Sequence, residues 1–243
     1  MSISKNELRQ VRARAQKKFR DETGLFVVEG EKMVAEALES GFEVVSVYRR
    51  DDIGEEAMAR LSSLSSPSPV LALVRRPADL SRAEVPGKGL FLALDGIRDP
   101  GNLGTILRIA DWFGIDGVIA SPDTVELYNP KVVQATMGAI FRVPFHRQNI
   151  PAFCREVIAA GGHVYGTFLD GKNLYQRDLD CGAEAPSVIV IGNESNGISP
   201  ETASCVSDRL FIPPYPSDDP GSESLNAAIA TAITVAEFRR RSS

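Results

Sequence analysis

The sequence predicts an α/β protein with a mainly parallel sheet covered by helices on both faces. Three observations predict it. Short apolar runs, such as residues 90–94 and 117–120, are continuous rather than alternating, as in buried parallel strands. Segments of helical period, such as Ile106, Leu107, Ala110 and Phe113, alternate with them along the chain. Glycine- and proline-rich loops, most clearly 95–104 and 192–197, stand between strand and helix. In open sheets of this kind ligands bind at the carboxyl ends of strands.

The elements follow in order. Residues 5–20 read as one basic helix, 24–29 as a strand, 32–38 as a helix and 43–48 as a strand. Residues 55–64 read as helical and 70–74 as a strand, closing a small α/β unit; the polar, proline-bearing 75–88 reads as a linker. After the strand at 90–94, Asp99-Pro100-Gly101-Asn102 is turn chemistry, and a helix is expected from Thr105 to Gly114 with Arg108 one turn in. A strand at 117–120 follows. Asn129-Pro130 is an N-cap followed by proline at the first helical position, for a helix to about Met137. Residues 139–145 read as a strand, 151–160 as a helix, 163–169 as a strand, 170–184 as a loop and 187–191 as a buried strand. Ser199-Pro200-Glu201 starts a short helix, 210–212 is a last strand, and a helix runs from about Ser224 to Arg239. The stripes Leu225/Ile229/Ile233/Ala236 and Val132/Ala135/Ala139 are expected in the core.

Composition excludes some chemistry. The 243 residues suffice for one large domain or two small ones. No run approaches a membrane span and the N-terminus has no apolar signal core, so a cytoplasmic protein is expected. Cys154, Cys181 and Cys205 are widely spaced without a CxxC, which predicts reduced thiols and no zinc site. His146 and His163 are the only histidines, so neither a metal site nor Ser/His/Asp catalysis is expected. The net charge is −5, yet residues 1–20 carry seven cations against the single acid Glu7. Phosphate binding needs such a local field rather than a basic pI; a solvated helix face explains the same run about as well.

Three strand-to-helix loops carry polar chemistry. The first offers Asn102 and Arg108, the second Gly192, Asn193 and Glu194, the third Ser224, Leu225 and Asn226. They supply amides, a carboxylate, a hydroxyl and a guanidinium, with no conventional nucleophile. The set suits orientation of a polar substrate and a nucleoside cofactor, and neither GxxxxGK[ST] nor GxGxxG occurs. Each residue alone has a plain structural explanation: Asn102 as a turn residue, Arg108 paired with Asp111, Glu194 as solvated polarity, Ser224 as a helix cap. Three such loops on one sheet favour a site.

With these loops the chain resembles the SpoU (TrmH-like) family of RNA ribose 2′-O-methyltransferases, of the SPOUT superfamily. The resemblance rests on the run from Asp99 to Arg108, on Val190-Ile191-Gly192-Asn193-Glu194 with Gly197-Ile198-Ser199, and on Ile212-Pro213 with Ser224-Leu225-Asn226. It implies a SPOUT-type sheet with a C-terminal trefoil knot, preceded by a small ribosomal-protein-like RNA-binding domain that Phe26 to Gly30 resembles. The implied domains are 1–84, substrate binding with linker, and 85–243, the knotted methyltransferase. The implied cofactor is S-adenosyl-L-methionine, contacted by Thr167, Leu169, Ile191, Gly192, Ile212 and Leu225. Asn102, Arg108, Glu194, Ser224 and Asn226 match the catalytic positions.

The family gives the arginine matching Arg108 the role of base; a protonated guanidinium gripping the adjacent phosphate is the alternative. A homodimer is implied, with Ala228, Ile229, Ala232, Ile233 and Val235 giving the last helix more than one apolar face. Arg12, Arg14, Lys17 and Lys18 are the expected RNA contacts, and ribosomal RNA is favoured over transfer RNA by family analogy. Residues 214–223 form a longer third loop than the family's, with Asp218 and Asp219. A non-catalytic RNA-binding or assembly protein and a doubly wound metabolic enzyme are the rival classes.

Overall fold

The computed structural model describes residues 3–77, 84–85, 87–216 and 223–241. Asp218 and Asp219, and most of the linker after Pro77, lie outside the described residues. Two compact units are present: residues 1–79 with 126–142, and residues 80–125 with 143–243.

The first unit begins with α1 (Lys5–Ala13) and α2 (Lys17–Thr23) and continues through β1 (Leu25–Glu29), α3 (Glu31–Glu39), β2 (Val44–Arg49), α4 (Arg50–Ile53), α5 (Glu55–Leu61) and β3 (Val70–Arg75). Its antiparallel sheet has the order β1-β3-β2. Val11, Tyr48, Met58, Leu61, Leu71 and Leu73 cluster in its core. The single basic helix expected over 5–20 is two helices. Gln16 is extended, and Arg20 folds back to donate to the carbonyls of Arg14 and Ala15, at 2.8 Å each. Helix α5 stops at Leu61, short of Leu64, because the buried Glu29 carboxylate draws in Ser62 and the backbone amides of Ser63 and Ser68.

The chain then enters the second unit with β4 (Gly89–Asp95), α6 (Pro100–Trp112) and β5 (Gly117–Ala120). It returns to the first unit with α7 (Pro130–Thr136) and a 3-10 turn, Ala139–Phe141. Four contacts bind this return segment: Glu126 pairs with the buried Arg20, Tyr128 packs on Phe26, Phe141 on Phe42, and Arg142 pairs with Glu36. Residues 126–142 thus pack with the first unit although they lie far along the chain from its other segment. The strand expected over 139–145 is not formed. Met137 and Gly138 both have positive φ, 50° and 100°, which turns the chain into the 3-10 segment instead.

The second unit resumes with β6 (Phe145–Arg147), α8 (Ile150–Ala159), β7 (His163–Asn173), β8 (Pro186–Gly192), α9 (Pro200–Ala203), β9 (Asp208–Phe211) and α10 (Ala227–Arg241). Its six strands lie in the order β6-β5-β4-β8-β7-β9, and the neighbouring pairs are parallel. The mainly parallel sheet expected from the continuous apolar runs is thus observed. Phe91, Ala93, Val188 and Val190 meet Phe153 and Val157 of α8 in one core cluster. Helices α6 and α10 pack together.

The buried face of α10 differs from the expected stripe. Leu225 and Ile229 are about half exposed, whereas Ala227, Ala228, Thr231, Thr234, Val235 and Phe238 are buried. The threonines can be buried because each hydroxyl bonds the carbonyl four residues back, Ala227 at 2.7 Å and Ala230 at 2.8 Å. Residues between Tyr165 and Cys181 also contact the last turn of α10. Cys181 donates its thiol to the Phe238 carbonyl at 3.0 Å, the Phe238 ring stands edge-on to Tyr165, and Arg241 donates to the carbonyls of Arg177 and Tyr175.

Candidate active site

Helix α6 starts at Pro100, five residues before the expected Thr105. Asp99 caps it by accepting from the Asn102 amide at 2.8 Å, and Pro100 occupies the first turn. Asn102 is therefore a first-turn helical residue rather than part of an irregular loop, and Arg108 lies two turns in.

The three loops converge on Asn102. Its Nδ2 donates to Glu194 Oε1 at 2.7 Å, and its Oδ1 accepts from Asn226 Nδ2 at 2.8 Å. Asn226 Oδ1 in turn accepts from the backbone amides of Ala228 and Ile229, at 2.9 and 3.3 Å, which caps α10. Each amide has one permitted orientation. An ionised carboxylate only accepts, so Asn102 must face Glu194 with nitrogen; the backbone amides of α10 only donate, so Asn226 must face them with oxygen. The relay thus runs from the positive end of α10 to the negative charge of Glu194, with the dipoles aligned.

The second loop is closed on itself. Asn193 and Gly197 exchange two backbone hydrogen bonds of 2.9 Å, and a Cβ on Gly192 would stand 2.3 Å from the Gly197 carbonyl carbon. Asn193 holds this turn from within. Its Oδ1 accepts from the amides of Ser195 and Asn196, and its Nδ2 donates to the Gly96 carbonyl at 2.7 Å, tying the second loop to the first. Asp95 adds a second tie by accepting from the Ser199 amide at 2.8 Å. Sequence reasoning assigns no specific site role to Asp95, Asp99 or Asn193. The Asp-Pro pair is a readable cap signal for α6.

Arg108 is exposed and forms no hydrogen bond or ion pair with another described residue. Ser224 is exposed ahead of α10, and Asn226 makes the cap that Ser224 was a candidate for. The expected cofactor positions gather at one end of adjacent strands. Ile191 and Gly192 end β8, Thr167 follows the last β7–β8 pair, and Ile212 follows β9. Thr167 Oγ1 reaches the Val190 carbonyl at 3.5 Å, Ile191 is buried, and Leu169 and Leu225 are exposed at 69% and 48%. Strand order β4-β8-β7-β9 sets them beside Asn102 and Glu194, which follow β4 and β8.

The four basic residues expected on RNA differ. Arg12 is exposed, whereas Arg14 is half-buried and donates to the Gln10 carbonyl at 2.6 Å. Lys17 pairs with Asp21 at 2.5 Å and Lys18 with Glu22 at 3.9 Å. The three C-terminal arginines are committed within the fold. Arg239 donates to the carbonyls of Phe113, at 2.7 Å, and Gly114, while Arg240 and Arg241 pair with Glu237. Among the described residues no helix is long and apolar enough to cross a membrane.

The SpoU rRNA Methylase family model matches residues 89–236, and an MRM3-like substrate binding domain matches residues 5–72. The chain is 31% identical to the 23S rRNA (guanosine(2553)-2′-O)-methyltransferase RlmP of Bacillus subtilis, over 92% of each chain. It is 32% identical to an rRNA methyltransferase from Sinorhizobium meliloti solved with bound S-adenosylmethionine, with a TM-score of 0.87 over 99% of this chain and 97% of that one. The SpoU methyltransferase AviRb of Streptomyces viridochromogenes, also solved with this cofactor, is 25% identical with a TM-score of 0.83 over 98% of each chain.

Proposed function

The chain belongs to the SpoU rRNA methylase family, and from that membership we propose that it is an S-adenosylmethionine-dependent enzyme that methylates a ribose 2′-hydroxyl of ribosomal RNA. The observation that carries the reading is the relay from Glu194 through Asn102 to Asn226. It locks three loops together at the carboxyl ends of β4 and β8, where an open parallel sheet binds ligands.

The residues beside the relay fit the cofactor. Exposed Leu169 and Leu225 offer apolar contact for an adenosine, and the ends of β7, β8 and β9 offer backbone donors and acceptors. Thr167, Ile191, Gly192 and Ile212 would complete its walls. When bound, S-adenosylmethionine supplies an electrophilic methyl group. The protein's task is to align the ribose and dispose of the hydroxyl's proton. A guanidinium stays protonated, so we assign Arg108 to grip the phosphate beside the target ribose. The 2′-oxygen would take the methyl group as the cofactor's carbon–sulfur bond breaks and S-adenosylhomocysteine leaves, and the hydroxyl's proton would pass by way of that phosphate oxygen to solvent. Glu194 and Asn102 fix the substrate side of the first loop, and Ser224 and Asn226 order the third.

Four finer points belong to the same reading. The working division is a substrate-binding domain over 1–84 and a methyltransferase domain over 85–243. The contacts of Tyr165, Tyr175, Arg177 and Cys181 with the end of α10 support a trefoil knot; slow refolding after full denaturation, against a version opened by cleavage between Leu174 and Cys181, would test it. A homodimer is supported by exposed Ile229 on α10 and by Trp112, 85% exposed, on α6, although Ala228 and Val235 face the protein's own core. A monomer in sedimentation velocity at micromolar concentration would exclude it. A cytoplasmic location is part of the same proposal.

Mapping ribose methylation across ribosomal RNA from a deletion strain and its parent tests the function. One or more 2′-O-methyl groups should vanish in the deletion strain; unchanged ribosomal RNA with a lost transfer-RNA mark would move the substrate class.

A further inference from the structure

We propose that Lys5, Arg9 and Arg12 of α1 form the surface that holds the RNA backbone, and that the cations of the following turn and helix do not. The inference rests on the reading above that the substrate is RNA. It separates seven neighbouring cations that sequence alone treats alike.

The three side chains share one face. At about 100° per residue, positions 5, 9 and 12 fall within roughly 60° of arc, in a row about 10 Å long. Leu8 and Val11, on another face, pack into the first unit's core, with Val11 1% exposed. Lys5, Arg9 and Arg12 are exposed and make no ion pair with another described residue. The one acid of the helix is turned aside: Glu7 accepts from the buried Tyr48 hydroxyl at 2.9 Å.

The other four cations are committed. Arg20 is 2% exposed and is held by Glu126 and two carbonyls. Arg14 bends back onto Gln10. Lys17 and Lys18 stand opposite Asp21 and Glu22, so α2 presents little net field to a phosphate. Asp21 is also held by Arg76 at 3.0 Å. The stripe on α1 has three positive charges and no opposing one. That suits a polyanion with repeated phosphates, for which binding depends on the number of charges neutralised.

Two triple variants carry the test, each removing three positive charges from the first 20 residues. One is Lys5→Gln with Arg9→Gln and Arg12→Gln; the other is Arg14→Gln with Lys17→Gln and Lys18→Gln. Binding of a fluorescein-labelled, 20-nucleotide single-stranded RNA is measured between 0.05 and 0.3 M salt. Each lost phosphate contact should flatten the slope of log affinity against log salt by about 0.7 and cost about fivefold in affinity at 0.1 M. The first triple should therefore flatten the slope by about 2 and weaken binding on the order of 100-fold. The second should leave the slope within about 0.5 of the parent. Equal losses in both triples would mean that only net charge matters and would overturn the assignment, as would an unchanged slope in the first or a larger loss in the second. Arg9→Glu alone, a helix-compatible change, keeps the test alive if the first triple folds poorly: its slope must be flatter than that of Lys17→Glu. The slope is read without turnover, so a parent that binds RNA but transfers no methyl group would refute the proposed function and leave this surface to be judged by the slope.

Discussion

The Asn226 side-chain amide donates to Asn102 Oδ1 at 2.8 Å, joining two residues 124 positions apart. Both amide orientations are dictated by their outer partners, Glu194 on one side and the first turn of α10 on the other. One polar chain therefore couples a helix N-terminus to a carboxylate through two neutral groups.

This geometry makes Asn102→Asp informative. At neutral pH the new carboxylate faces that of Glu194 and has no proton to donate, so kcat should fall roughly 100-fold from misplacement of the loops. Two carboxylates sharing one site raise one of their pKa values. Once protonated, the introduced carboxyl would donate to Glu194 and accept from Asn226 as the amide does. The variant's activity relative to the parent should therefore rise as pH falls from about 8 to about 5.5. A flat ratio across that range would mean that the relay does not set the rate.

Helices α6 and α10 are tied at both ends, by Asn102–Asn226 near their starts and by Arg239 on the Phe113 and Gly114 carbonyls at the end of α6. A cation there also complements the helix dipole. Arg239→Met should cost about 1.5–3 kcal/mol, the range for hydrogen bonds from a charged group. Thermal unfolding should drop by about 2–4 °C for each kcal/mol lost. Arg240→Met, whose side chain is 67% exposed, should leave the midpoint nearly unchanged. Equal midpoints for the two variants would discount the clamp.

Glu237 is 6% exposed, and hydrogen bonds from Arg240 and then Arg241 outweigh its burial to pull its pKa from an ordinary 4.5 to about 2. A depressed carboxyl pKa stabilises the fold fully above the unfolded value and loses that stabilisation as pH falls through the folded one. Stability should thus decline between about pH 4.5 and 2 partly on account of this residue. In Glu237→Gln the melting temperature should fall less steeply with acid over that window. The same steepness in both proteins would assign acid unfolding to other carboxylates.

The relay residues were legible in the sequence because each sits just after an apolar strand or before a helical stripe, where glycine and proline mark a loop. The relay itself was not, because its bonds span 92 and 124 positions. Asp99-Pro100 reads equally as a turn or as a cap, and only the bond to the Asn102 amide decides. The run from Ala139 to Phe145 is apolar enough for a strand, yet a left-handed Met137 overrides that pattern. Thr231 and Thr234 look polar in sequence but are buried, because they satisfy their hydroxyls on their own helix; Leu225 and Ile229 look buried and are exposed. No local signal could have assigned residues 126–142 to the first unit, since the Arg20–Glu126 pair that helps hold them spans 106 positions.

The most direct measurement of the central claim is methyl transfer from tritiated S-adenosylmethionine to deproteinised ribosomal RNA, comparing the parent with Arg108→Ala and recording cofactor binding by calorimetry. The parent should label ribose, leaving the modified linkage resistant to alkali. Arg108→Ala should bind the cofactor within a few-fold of the parent and transfer no measurable methyl group. Near-normal turnover by Arg108→Ala, or label on a base rather than on ribose, would contradict the account.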